Sequence, residues 1–139
     1  MATIETTYLG GLRTEATHLQ SGTKIITDAP VDNQGKGEAF SPTDLLAASL
    51  ASCMLTIMGI KARSSNIDID NTKCSVTKIM AADPRRVAEI VISFKFPKQY
   101  TEKEQLLLER SALTCPVFFS LHEDLKKTVD FGWEVEVKG

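Results

Sequence analysis

Two thiols in this chain stand where they could react. Cys53 lies inside the stretch FSPTDLLAASLASCMLTIMGI, residues 40–60, and Cys115 directly precedes Pro116 in ALTCPVFFSL. A cysteine attacks as its thiolate, which needs positive charge nearby or the free N–H groups of a helix start. Cys115 has the second, because proline is suited to open a helix and disfavours helical backbone in the residue before it. On that ground alone Cys115 is the more acidic of the two. Cys53 has neither: residues 45–60 carry no charged side chain, and apolar surroundings disfavour a thiolate unless a cation is brought to it. Arg13, Arg110 and His122 are the candidates, and spacing does not choose among them; a histidine placed like His122, on the flank of an apolar helix face, more often packs than catalyses. Without such a cation Cys53 is a small hydrophobe in a core helix. Cys74 shares a strand face with Val76 and reads as a half-buried structural residue without chemistry.

The element that must place Cys53 is a helix. Ser41, Pro42 and Asp44 form its start: a capping hydroxyl, a proline with φ already helical, and an acid in the first turn. Ala47, Ala48, Ser49, Ala51 and Ser52 remove bulk ahead of the thiol. With no solvent stripe available, the helix is expected to be buried on all sides and to end around residues 61–65. Before it, residues 3–28 alternate with strand period around Gly10-Gly11 and Ser21-Gly22, a three-stranded meander with Arg13 just after its first turn. Residues 30–40, with Glu38, form a polar loop leading to the helix start.

After the helix, residues 72–80 and 87–96 read as a hairpin turned at Asp83-Pro84, with Ile90, Ile92, Phe94 and Phe96 on its core face. Thr101 and Glu104 make a capping box for a helix through Leu113 in which Leu106, Leu107 and Leu108 can pack. The helix opened by Pro116 continues to about Lys126 and packs through Phe118, Leu121 and Leu125. A last strand, 128–137, places Val129, Phe131, Trp133, Val135 and Val137 on one face. Grouped strands separated by helices argue an α+β fold with mainly antiparallel pairing, in one domain over residues 1–139.

Sixteen basic and eighteen acidic residues leave a formal charge of −2. Without a run of like charges, neither a nucleic-acid face nor an acidic tail is indicated. Three scattered cysteines make no disulfide framework, and there is no CxxC or Cys/His group with zinc spacing, so a reducing, cytoplasmic setting and no metal are expected. The start MATIETTYLG lacks the features of a signal peptide, and residues 45–60 are short and rich in Ser and Thr for a membrane span. A soluble protein is expected.

SPTDLLAASLASC and ALTCPVFFSL, their cysteines about sixty residues apart, follow a glycine-turned meander that bears an arginine. In these features the chain resembles the OsmC/Ohr family of osmotically induced and organic hydroperoxide resistance proteins, in its OsmC-like branch. The resemblance covers essentially the whole chain. It implies an OsmC-like fold of antiparallel sheets around a long buried central helix, in a tightly intertwined homodimer. The implied activity is a thiol peroxidase without metal or organic cofactor. Cys53 would be the peroxidatic residue, attacking a small organic hydroperoxide and becoming a sulfenic acid; Cys115 would close an intramolecular disulfide, and a dithiol, in the family typically a lipoyl group on a protein, would reduce it. Arg13 matches the family's N-terminal arginine, the cation that Cys53 otherwise lacks. Leu50, Met54, Ile57, Phe118 and Phe119 would supply apolar walls.

One departure stands out. The characterised peroxidases carry a glutamate ten residues before the peroxidatic cysteine, paired with the arginine; here Thr43 holds that position. Asp44 is expected to be spent in capping, so on physical grounds Glu38 is the substitute. Two other readings stay open: a non-enzymatic dimer that binds an apolar ligand, and a redox sensor switched by a Cys53–Cys115 disulfide without turnover.

Overall fold

The computed structural model describes residues 1–133; Val135 and Val137 of the expected last strand lie outside the described residues. The chain divides into two compact units, residues 1–46 and 47–139. In the first, β1 (Ile4–Gly10), β2 (Arg13–His18) and β3 (Lys24–Asp28) form the antiparallel meander expected from the glycine turns, in the order β1-β2-β3. Gly10 and Gly11 take φ of 86° and 62°, values open to glycine without a Cβ clash, and so reverse the chain in the shortest space. The register sets Arg13, first in β2, opposite Asp28, last in β3.

The following loop is stitched back onto the end of β3. Ala29 N–H donates to the Leu12 carbonyl, Gly37 N–H to that of Ala29, and Asp28 N–H to that of Phe40, which forms a parallel bridge with Thr27. Asn33 and Gly35 N–H both donate to the Pro30 carbonyl, closing a 3-10 turn at Val31–Asn33. Gly35 is held here by space: a Cβ on it would lie 1.7 Å from the Ala29 carbonyl oxygen. Backbone on both sides of the clash leaves no rotamer to relieve it. Gly35→Ala is therefore expected to destabilise the protein by on the order of 2 kcal/mol, seen as a lower urea midpoint at unchanged m-value.

Helix α1 (Pro42–Ser64) starts where the sequence places it. The Ser41 hydroxyl accepts from Asp44 N–H (3.1 Å) and the Asp44 carboxylate accepts from Ser41 N–H (3.0 Å), a reciprocal cap that satisfies two of the donors a helix start leaves open. Burial differs from expectation. Ala47, Leu50, Ala51, Met54, Met58 and Ala62 form one buried stripe at helical spacing, whereas Leu46, Ser52, Thr56 and Ile60 are exposed. Uniform apolarity requires cover on every side, and a single chain provides it on one. By length and composition α1 is also apolar enough to cross a membrane, a property it shares with core helices of soluble proteins.

In the second unit β4 (Lys73–Ala81) and β5 (Arg86–Lys95) make the expected antiparallel hairpin. Ile90, Ile92 and Phe94 are buried and Phe96 packs against them. Helix α2 (Glu102–Ala112) carries the expected capping box, the Thr101 hydroxyl accepting from Glu104 N–H and the Glu104 carboxylate from Thr101 N–H. It packs through Leu108 and Ala112, while Leu106 stays outside.

Two expectations are corrected here. Helix α3 covers only Pro116–Ser120, because Leu121 is already extended with ψ of 148°. The last strand, β6 (Lys126–Asp130), starts earlier than residue 128 and pairs with β5 in parallel, in the order β4-β5-β6. A helix pair inserted between β5 and β6 supplies the long crossover that parallel neighbours need. The core of this unit gathers Leu50, Met54, Met58, Ile90, Ile92, Leu108 and Cys115, all fully buried.

Candidate functional site

Cys53, on α1, and Cys115, at the cap of α3, are brought together. Both are free thiols, Cys53 half-buried and Cys115 buried, and Cys53 lies close enough to Cys115 to raise its pKa. The sequence separation is bridged because α1 and α3 both contribute to one core cluster, with Cys53 packed against its edge and Cys115 inside it.

Cys115 does take the helix-start position, its sulfur accepting from Phe118 N–H at 3.4 Å. The acidity expected from that position is nevertheless reversed. Burial pushes its pKa up, the neighbouring Cys53 thiol adds to the rise, and the Phe118 and Val117 amides only partly offset both. Removal of solvent outweighs these amide donors on a large, diffuse sulfur anion. Folding therefore keeps a proton that the unfolded chain loses at mildly alkaline pH. Stability from this site is full below the ordinary thiol range and falls as pH rises through it toward the folded-state value. Thermal denaturation of the reduced protein is expected to show Tm falling above about pH 8.5, and Cys115→Ser should flatten that decline.

A second cluster lies in the first unit. One Arg13 Nη2 is 3.0 Å from a Glu38 carboxylate oxygen and 3.4 Å from Asp28 Oδ2. The same Asp28 oxygen also accepts from Glu38 N–H at 3.0 Å. Asp28 is 1% exposed, Glu38 57%. The Glu38 amide, opposed by burial and helped by the Arg13 charge, holds the Asp28 carboxyl below the usual range. Arg13 is kept charged first by its bond to Glu38, then by the charge of Asp28. The result is an arginine of fixed ionisation with part of its guanidinium open to solvent.

The family model described as OsmC-like protein matches residues 35–130. The chain belongs to the OsmC-like family. A solved structure of a candidate osmotic stress induced and detoxification response protein from Psychrobacter arcticus 273-4 is 62% identical, with 94% of this chain and 95% of that one covered and a TM-score of 0.91. An OsmC-like protein from Mycoplasma pneumoniae is 22% identical over 91% and 92% of the two chains, TM-score 0.74. The organic hydroperoxide resistance protein OsmC from Legionella pneumophila is 16% identical over 94% and 96%, TM-score 0.72; these two likenesses are of fold alone. No curated protein sequence matches the chain.

Other residues singled out in this OsmC-like sequence fall elsewhere. Asp44 is spent in the α1 cap as expected, and the Thr43 hydroxyl bonds to that of Ser41. Arg110 is exposed on α2; His122, also exposed, accepts from Asp124 N–H. Leu50 and Met54, expected as pocket walls, are fully buried in the core, while Phe119 stands 70% exposed. Cys74 is half-buried, its pKa raised by burial alone. Among the described residues no group of three His, Cys, Asp or Glu side chains is placed to hold a metal ion. Asp28 is the residue that sequence reasoning missed. Its signal was an acid closing a strand of isoleucine and threonine, legible once the β2–β3 register puts it opposite Arg13.

Proposed function

We propose that this OsmC-like protein is a thiol-dependent peroxidase of organic hydroperoxides. Membership in a family that includes organic hydroperoxide resistance proteins supports a role in peroxide stress. The observation that carries the mechanism is the thiol pair, two free cysteines near enough to act on each other at the edge of one core.

In this reading the Cys53 thiolate attacks the terminal peroxide oxygen and the O–O bond breaks. The alkoxide takes up a proton and leaves as an alcohol, and Cys53 becomes a sulfenic acid. Cys115 then displaces water from it, forming the disulfide with loss of one water molecule. A dithiol, in this reading a lipoyl group on a protein, reduces that disulfide by two exchange steps, becoming a disulfide itself. Arg13 is the cation that favours the thiolate and polarises the peroxide, with Glu38 as its acid partner. The working unit is a homodimer in a reducing cytoplasm. Support for the dimer comes from the exposed apolar residues Ile4, Tyr8 and Ile25, which the strand register sets on one face of the meander, since scattered apolar exposure is ordinary and an apolar sheet face is not.

The test is peptide mass spectrometry of the reduced protein after one equivalent of cumene hydroperoxide, with thiols alkylated at quench and hydrogen peroxide in parallel. A Cys53–Cys115 linked peptide that forms faster with the organic peroxide is the expected result. Both thiols remaining alkylatable would end the peroxidase reading.

A further inference from the structure

Arg13 meets two carboxylates, and they are not equivalent. Glu38 makes the shorter contact, yet it is mostly exposed and belongs to a loop. Water competes for an exposed pair, and holding two long side chains together costs entropy, so such pairs fix geometry weakly. Asp28 is in a strand, directly across the ladder from Arg13. It is buried, and one of its oxygens receives both the Arg13 guanidinium and the Glu38 backbone amide. That oxygen therefore places the cation and the base of its other partner together.

A buried carboxylate is costly unless its charge is answered. Here Oδ1 is buried and has no hydrogen-bond partner among the described residues. A residue kept only for packing at the end of β3 would not be an acid with one oxygen left unanswered. We propose that Asp28 is the positioning residue for Arg13: it seats the guanidinium on the rigid sheet, and Glu38 acts as a secondary, solvent-screened partner. This inference rests on the peroxidase reading for its effect on turnover, but not for its effect on Arg13 itself. Constellations built on strands hold closer tolerances than those on loops, and a displacement of the order of 1 Å can lower a rate about 100-fold.

The test uses the full-length protein with 15N-labelled arginine. Asp28→Asn keeps the shape and removes the charge; Glu38→Gln does the same for the loop acid; Arg13→Ala assigns the Arg13 signal. Wild type is expected to show Arg13 Nη–H signals protected from exchange, since Nη2 makes both carboxylate contacts. Asp28→Asn should lose that protection and lower kcat/KM for cumene hydroperoxide by about tenfold or more. Glu38→Gln should keep most of the protection and lose about threefold. An Arg13 signal unchanged in Asp28→Asn, or lost in Glu38→Gln alone, would overturn the inference. Should the asparagine variant not fold, Asp28→Glu, which keeps the charge and shifts it by one methylene, reads the same way. A wild-type protein that consumes no cumene hydroperoxide would remove the peroxidase reading and leave the Arg13 signal to decide the role of Asp28.

Discussion

Cys53→Ser is expected to abolish organic hydroperoxide consumption, a loss of at least about 1000-fold, while Cys115→Ser consumes one equivalent and stops. The two variants separate two roles within one pair of neighbouring thiols. A serine hydroxyl at position 53 cannot ionise near neutral pH, so the attacking electron pair is gone. At position 115 serine removes only the sulfur that would displace water from the sulfenic acid. It also keeps the cap, because a hydroxyl accepts from the Phe118 N–H that now meets the Cys115 sulfur, and serine is among the better capping residues. The variant should therefore fold, and a sulfenic-acid trapping reagent should mark Cys53 in it after one equivalent of peroxide. Peroxide consumption at the parent rate by Cys53→Ser would show that the nucleophile lies elsewhere. Repeated turnover by Cys115→Ser would show that an external thiol resolves the sulfenic acid directly.

The second large effect is expected at Arg13. Arg13→Ala should lower kcat/KM for cumene hydroperoxide by about 100-fold, the scale seen when one preorganised donor is taken from a reacting oxygen. It should also move alkylation of Cys53 to higher pH, because in the peroxidase reading the Arg13 charge favours the thiolate. Arg13→Lys separates charge from shape: a lysine retains the positive charge but offers a point charge where the guanidinium offers a planar fork. It is expected to recover the alkylation profile in larger part than the rate. Stopped-flow peroxide decay and pH-dependent alkylation read by mass spectrometry measure the two quantities. An alkylation profile unchanged in Arg13→Ala would remove Arg13 from the chemistry of Cys53.

Much of the fold was legible because local chemistry and tertiary packing agree. Gly10-Gly11, the Ser41/Asp44 start and the Thr101/Glu104 box each act within a few residues, and each stands where the sequence puts it. What failed depends on distance. The parallel entry of β6 follows from which strand edge remains free beside β5, and alternation of apolar residues carries no sign of direction. The acidity of Cys115 was read from its place at a helix start, but the larger influence is the solvent removed by residues far away in sequence. Glu38 was chosen by proximity to the helix start and does meet Arg13. Asp28 was passed over because its nearness to Arg13 exists only through strand register.

The segment between β3 and α1 begins and ends at one point, since Asp28 N–H meets the Phe40 carbonyl. Residues 29–39 thus hang from a closed neck, and outside Gly35 and the amides bonded back to β3 their number is weakly constrained: doubling the length of a flexible loop adds only about 0.6 kcal/mol of closure entropy. Insertions at the exposed residues 32–34 would leave the β-ladder and the α1 cap in register. Glu38 rides on this segment, and Asp28 sits in the neck that anchors it. Over evolutionary time or in a library, the outer acid can be exchanged while the carboxylate opposite Arg13 in the ladder stays in place.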